Sequence, residues 1–206
     1  MTVPGENGPA DRDGPSPIEL AIPPGVARVV VIGSECTGKT ELAEWLAGAL
    51  DVPSSAEYAR EYAERLHGDA ALAATDVEPI ARGQLALENR AIEASRGGAT
   101  PLVLHDTDLL STRVYATAYY GEAAVPGWLR RATLTRRADL YLFCDIDVPW
   151  AMDAVRDAEA DRERMQRQFA SALAMHGAAS VTVSGDRSAR REAALAAIRA
   201  LTVTRG

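Results

Sequence analysis

The run Gly33-Ser34-Glu35-Cys36-Thr37-Gly38-Lys39-Thr40 constrains this chain more than any other feature. It follows an apolar stretch ending at Ile32 and precedes a helical pattern, and G-x-x-x-x-G-K-[ST] in that setting is a phosphate-binding loop. The residue types follow from the task. Two glycines let the backbone wrap a polyphosphate, successive N–H groups and the following helix N-terminus point at the anion, Lys39 reaches the outer phosphates, and the Thr40 hydroxyl suits Mg²⁺. The alternative, a plain glycine turn, is disfavoured because strand, loop and helix signals are all present. Gly33, Ser34, Glu35, Cys36, Thr37, Gly38, Lys39, Thr40 and Glu41 are therefore assigned to the nucleotide, with Lys39 also in the chemistry.

Around the loop the hydrophobic period switches repeatedly between strand and helix. Residues 26–32 form an apolar run broken only by Arg28, as a buried parallel strand requires. Leu42, Trp45, Leu46, Ala49 and Leu50 then recur at helical spacing up to Pro53. A short strand over 52–56 leads into a helix over 57–66. Thr75-Asp76-Val77-Glu78 has capping-box spacing and predicts a helix over 77–95, closed by Gly97-Gly98. Short strands follow at 101–104, 140–144 and 181–183, separated by helices at 108–120 and 128–137 and, after a polar stretch from Trp150, an apolar stripe at Phe169, Leu173 and Met175; a last helix covers 188–201. Strands alternating with helices give an α/β fold with a parallel sheet whose ligands gather at the strand C-terminal ends.

Residues 1–24 are rich in proline (Pro4, Pro9, Pro15, Pro17, Pro23, Pro24) and glycine and poor in apolar side chains, so they are expected to form a disordered extension ahead of a single domain over 25–206. A net charge of −7 argues against a nucleic-acid or anionic-membrane partner and leaves a small-molecule substrate. With no apolar run near the roughly twenty residues that span a bilayer, and no signal-peptide pattern at the N-terminus, a cytoplasmic protein is expected. Cys36 and Cys144 give neither a disulfide framework nor a metal spacing.

Phosphoryl transfer needs a cradle, a metal, charge stabilisation on the moving group and something to orient the accepting hydroxyl. Asp106, at a strand end, pairs with Thr40 as the metal site, or else serves as a helix N-cap; Asp108 so close by favours the metal reading, since one cap needs one carboxylate. Glu57, at a strand-to-helix junction, is placed to take the proton from an attacking hydroxyl, or it forms ion pairs with neighbours on a solvated helix face. Arg156, Arg162, Arg164 and Arg167 form a lid over the phosphates or a solvated helix, and Arg156 and Arg162 are singled out as lid contributors. His105 and His176 are read as packing or surface residues.

Taken in order, the loop, Glu57-Tyr58-Ala59-Arg60-Glu61-Tyr62, His105-Asp106-Thr107-Asp108, and Trp150 with Asp153 and Arg156 resemble the ribosylnicotinamide kinase domain of NadR-type bacterial NAD-regulatory proteins, over residues 27–201. The resemblance implies a three-layer P-loop kinase fold with strand order 2-3-1-4-5, ATP with Mg²⁺ as donor, and the 5′-hydroxyl of nicotinamide riboside as acceptor. It places Glu57, Tyr58 and Arg60 in the acceptor pocket and Asp106 or Asp108 on metal and ribose. Where relatives can carry a tryptophan that stacks on the pyridine ring, this chain has Ala56, with Tyr58, Tyr62, Tyr115, Tyr119 and Trp128 as possible substitutes. No H-x-G-H nucleotidyltransferase motif occurs, so a stand-alone kinase is expected. The open alternatives are a kinase for another nucleoside or a nucleoside monophosphate, and a regulatory ATP-binding module.

Overall fold

The computed structural model describes residues 14–66, 72–96, 98, 101–147 and 159–205. Five parallel strands, β1 (Ala27–Ile32), β2 (Ser54–Ser55), β3 (Leu102–Asp106), β4 (Leu140–Cys144) and β5 (Ser180–Val183), stand in the order β2-β3-β1-β4-β5. The helices are α1 (Pro17–Leu20), α2 (Lys39–Leu50), α3 (Tyr58–Leu66), α4 (Val77–Ser95), α5 (Leu109–Tyr120), α6 (Gly127–Thr135), α7 (Glu159–Met175) and α8 (Arg187–Arg205).

Alternation along the strands sorts side chains into two cores. Val29 and Val31 of β1, with Leu102, Leu104 and Leu142, face Leu42 and Leu46 of α2 and Ala194 and Ile198 of α8. Val30 and Ile32, with Tyr141, face Leu110 and Val114 of α5 and Met165 and Phe169 of α7. A third cluster joins α4, α5 and α6 through Val77, Leu85, Leu109, Trp128 and Leu129. The sheet is thus covered on both faces, and the run from Gly33 to Thr40 follows the end of β1.

Arg28 interrupts β1 and is nevertheless buried. Its guanidinium meets Glu88 of α4 at 3.1 Å, and Arg136, just past α6, meets the same carboxylate oxygen at 3.3 Å. The other oxygen of Glu88 accepts from the Leu109 N–H at 3.0 Å. One buried carboxylate therefore serves two cations and the first turn of α5.

Residues 14–24 depart from the expected disorder. Ser16 and Glu19 form a reciprocal capping box, with the Glu19 N–H on the Ser16 Oγ at 3.2 Å and the Ser16 N–H on the Glu19 carboxylate at 2.8 Å. Arg136 then donates to the carbonyls of Glu19, Leu20 and Ala21, and Asn89 to that of Glu19. Residues 1–13 lie outside the described residues. Conversely, the box expected at Thr75 does not form: Asp76 stands at the N-cap of α4 without a side-chain cap, and Glu78 accepts from the Trp128 indole and pairs with Arg82. Strand β3 also runs past its expected end at 104, through Asp106.

Candidate active site

The loop lies where β1 gives way to α2. A Cβ on Gly33 would sit 2.8 Å from the Cys144 carbonyl, and its φ of 147° is one that side-chain-bearing residues rarely adopt. Gly38, at φ 76°, is the left-handed N-cap of α2, so Lys39 and Thr40 form its first turn. Lys39 Nζ donates to the Ser34 carbonyl at 2.7 Å and the Thr37 hydroxyl to the same oxygen at 2.9 Å, drawing the loop round its own backbone.

Asp106 shares the α2 face of the sheet with Leu102 and Leu104, two and four residues before it, and this period brings it to Thr40. The Thr40 hydroxyl donates to Asp106 Oδ2 at 2.6 Å, while Oδ1 is buried with no partner. Burial raises the Asp106 pKa; the Thr40 bond opposes this, Glu57 adds to it, and Lys39 and Arg60 again oppose it. Lys39, Glu57 and Arg60 thus all lie within electrostatic reach of Asp106. A hydroxyl beside a carboxylate with a spare oxygen fits Mg²⁺, which takes one or two protein oxygens and completes its shell with water and phosphate. Among the described residues no cluster of three or more His, Cys, Asp or Glu side chains is set to hold a metal on its own.

Asp108 is not brought to this site. Thr107, at φ 67°, reverses the chain, so Asp108 turns inward as the N-cap of α5. It is 2% exposed; Oδ1 accepts from the Leu110 and Ser111 amides and Oδ2 from the Tyr141 hydroxyl at 2.9 Å. Burial, reinforced by Glu88, pushes its pKa up to about 6 against the pull of Arg28 and the Tyr141 bond. The two carboxylates are therefore divided between the two roles weighed from sequence: Asp106 faces Thr40 and Asp108 caps. His105 is packing, as expected: fully buried, with Nδ1 against the Ser55 hydroxyl at 2.7 Å and a pKa held well below its ordinary value, chiefly by burial.

Glu57 is half-buried just before α3 and makes no ion pair among the described residues; its neighbour Glu61 pairs instead with Arg65 at 3.0 Å. Buried Gln84 of α4, which the sequence reading missed, accepts from the Tyr58 N–H at 2.9 Å and donates to the Thr107 carbonyl at 3.4 Å, tying the start of α3 to the end of β3. Tyr58 lies on Gly83, where a Cβ would come within 2.0 Å of its ring. Trp128 cannot stand in for a stacking residue near Ala56: it is 2% exposed, in the α4–α6 core. Tyr62 is buried with its hydroxyl on Asp76, and Tyr115 packs edge-on against Phe169.

Two further side chains brace the loop, and neither belongs to a motif. Gln166 of α7 accepts from the Ser34 N–H at 3.2 Å and donates to the Cys144 carbonyl at 2.9 Å. Arg190 of α8 donates to the carbonyls of Thr37 at 2.8 Å and Asp145 at 2.9 Å, and it pairs with Asp147. Arg162 reaches the Cys36 carbonyl at 3.1 Å. Arg164 and Arg167 make exposed pairs with Asp161 and Glu163, the solvated-helix reading. Glu41 is turned to Arg187 and Arg191 of α8, both at 2.9 Å. Arg156, with Trp150 and Asp153, lies outside the described residues.

Residues 28–190 match a family model described as an AAA domain. The chain belongs to this AAA-domain family. It is also similar to the trifunctional NAD biosynthesis/regulator protein NadR of Escherichia coli (strain K12), 28% identical over 152 residues that make up 72% of this chain and 36% of that protein. The chain thus spans about a third of that relative's length. Among solved structures, a NadR protein in complex with NR superposes with a TM-score of 0.71 at 28% identity, covering 86% of this chain and 51% of that one. A NadR protein in complex with NAD and AMP-PNP gives 0.71 at 29% identity, over 86% and 49%. These similarities agree with the resemblance to NadR-type proteins carried by the sequence motifs. Among the described residues no helix is long and apolar enough to cross a membrane.

Proposed function

We propose that this domain is an ATP-dependent kinase that phosphorylates the 5′-hydroxyl of nicotinamide riboside to give nicotinamide mononucleotide. The observation that carries the reading is the Thr40–Asp106 contact at 2.6 Å, with Lys39, Glu57 and Arg60 all within electrostatic reach of Asp106. Similarity to NadR structures holding NR, and NAD with AMP-PNP, supports the choice of substrates.

In this reading the loop amides and the α2 N-terminus hold the ATP phosphates and Lys39 neutralises charge on the transferring group. Thr40 and Asp106 would hold Mg²⁺, which when bound screens phosphate charge. Glu57 orients the acceptor hydroxyl and takes its proton as the new O–P bond forms; the bond from the γ-phosphorus to the ADP oxygen breaks, and ADP leaves with that electron pair. Arg162, already on the loop backbone, contributes positive charge to the same end. Acidic residues at Glu57, Glu61 and Glu64 favour an acceptor with a cationic pyridinium over a monophosphate, which calls for converging arginines.

A second acceptor, another riboside, is favoured by one observation: Ala56 is exposed and supplies no ring. Base stacking is worth about 1–3 kcal/mol in nucleic-acid sites, so its loss relaxes preference among bases. The test is a coupled ADP-release assay with ATP and Mg²⁺ across nicotinamide riboside, common nucleosides and their monophosphates. Strongest stimulation by nicotinamide riboside is expected. Stimulation by a monophosphate alone would overturn the acceptor assignment, and stimulation by none would favour a regulatory module.

A further inference from the structure

We infer that Gln166 is a positioning residue that sets the phosphate loop for nucleotide binding by fixing its first peptide against the end of β4. The inference rests on the loop's proposed role in holding ATP.

Gln166 is 9% exposed, on the face of α7 turned to the sheet. Burying a primary amide is unfavourable unless both its oxygen and its nitrogen find partners. Both do, and neither partner is a side chain: the oxygen takes the Ser34 N–H at 3.2 Å and the nitrogen gives to the Cys144 carbonyl at 2.9 Å. That carbonyl is the atom against which Gly33 is packed, 2.8 Å from where a Cβ would stand. The carboxamide thus bridges the gap that the glycine's missing side chain makes narrow. With the Ser34 amide engaged, its carbonyl on the far side of the residue accepts Lys39 Nζ at 2.7 Å and the Thr37 hydroxyl at 2.9 Å. The orientation of residue 34 therefore determines where the Lys39 ammonium starts from.

The arrangement has a counterpart. Arg190 links the Thr37 carbonyl to the Asp145 carbonyl, the residue after Cys144, so the two halves of the loop are fastened to consecutive β4-end carbonyls from α7 and from α8. Arg162, one helical turn before Gln166, holds the Cys36 carbonyl between them. Gln166 differs from both arginines in carrying no charge, so its removal leaves the field at the phosphates unchanged and isolates the effect of geometry.

The test compares wild type, Gln166→Met and Gln166→Glu by calorimetric titration with AMP-PNP and Mg²⁺, and by steady-state kinetics for ATP and acceptor. Methionine keeps the length and removes both bonds, and glutamate keeps the acceptor for Ser34. Gln166→Met is expected to weaken AMP-PNP binding about 10- to 30-fold, the worth of two ordinary hydrogen bonds, and to raise KM for ATP in step. KM for the acceptor should stay within twofold, and Gln166→Glu, which keeps the acceptor for Ser34 but sets a charged oxygen against the Cys144 carbonyl and beside the phosphates, should bind AMP-PNP no better than Gln166→Met. A residue that only stabilises the fold would lower the melting temperature without this split. Equal AMP-PNP affinity for wild type and Gln166→Met would overturn the inference. Absence of binding to wild type as well would instead remove the nucleotide role of the loop, and the inference with it.

Discussion

Replacing Glu88 by glutamine tests the buried network that underlies the site. Glu88 is fully buried and faces three donors: Arg28 at 3.1 Å, Arg136 at 3.3 Å and the Leu109 N–H at 3.0 Å. Glutamine can keep an oxygen for Leu109, but it turns an NH₂ toward two guanidinium groups and leaves both without their shared anion. Removing one partner of a buried ion pair costs about 3–5 kcal/mol, because the remaining charge stays desolvated. For a domain of this size each kcal/mol lowers the melting temperature by about 2–4 °C, so a fall of about 6–20 °C is expected. Circular dichroism against temperature reads it directly. Arg167→Met, which breaks the exposed pair with Glu163, is the control and should cost no more than about 1 kcal/mol. Should Glu88→Gln melt within 2 °C of wild type, about the effect of a surface pair, the account of Arg28 in β1 would be wrong.

Three other perturbations probe the site itself. Gly83→Ala puts a Cβ within 2.0 Å of the Tyr58 ring and must displace the start of α3, so kcat/KM for the acceptor should fall about tenfold or more while KM for ATP holds; unchanged acceptor kinetics would mean that this contact does not position Glu57. Glu57→Gln should lower turnover about 10²- to 10⁴-fold with AMP-PNP affinity little changed, and near-normal turnover would put the base elsewhere. Asp108 titrates near 6 when folded against 3.8 as a free side chain, so the folded state holds its proton more tightly and this group's contribution to stability rises as pH falls from about 6 to 4. Relative to Asp108→Asn, wild type should therefore gain up to about 3 kcal/mol between pH 7 and pH 4 in urea titrations, and a difference independent of pH would contradict the buried cap.

The loop and its contact with Asp106 were legible because the pattern that sets them is local. Gly33, Gly38, Lys39 and Thr40 are fixed in one turn by what a phosphate demands, and Asp106 lies at a strand end that period-2 burial carries to Thr40. What was not legible depended on contacts distant in sequence. Gln166 and Arg190 touch residues 34 and 37 across more than a hundred positions, and nothing in the spacing of either marks it. Asp108 looked equivalent to Asp106 until the positive φ of Thr107 turned it inward. Two sequences with the same capping-box spacing behaved oppositely: Ser16 and Glu19 close the box at the start of α1, whose carbonyls Arg136 gathers, whereas Glu78 is drawn away by Trp128 and Arg82. Local patterns state what a segment can do, and tertiary partners decide which option it takes.

In the proposed function the loop, Thr40 and Asp106 transfer a phosphoryl group to a riboside hydroxyl. Mass spectrometry on a mixture of protein, ATP, Mg²⁺ and nicotinamide riboside tests it most directly, with Lys39→Ala run in parallel. Nicotinamide mononucleotide and ADP accumulating one for one with wild type, and neither with Lys39→Ala, is the predicted result. ADP formed at the same rate with and without the riboside, and no phosphorylated riboside in either mixture, would contradict it.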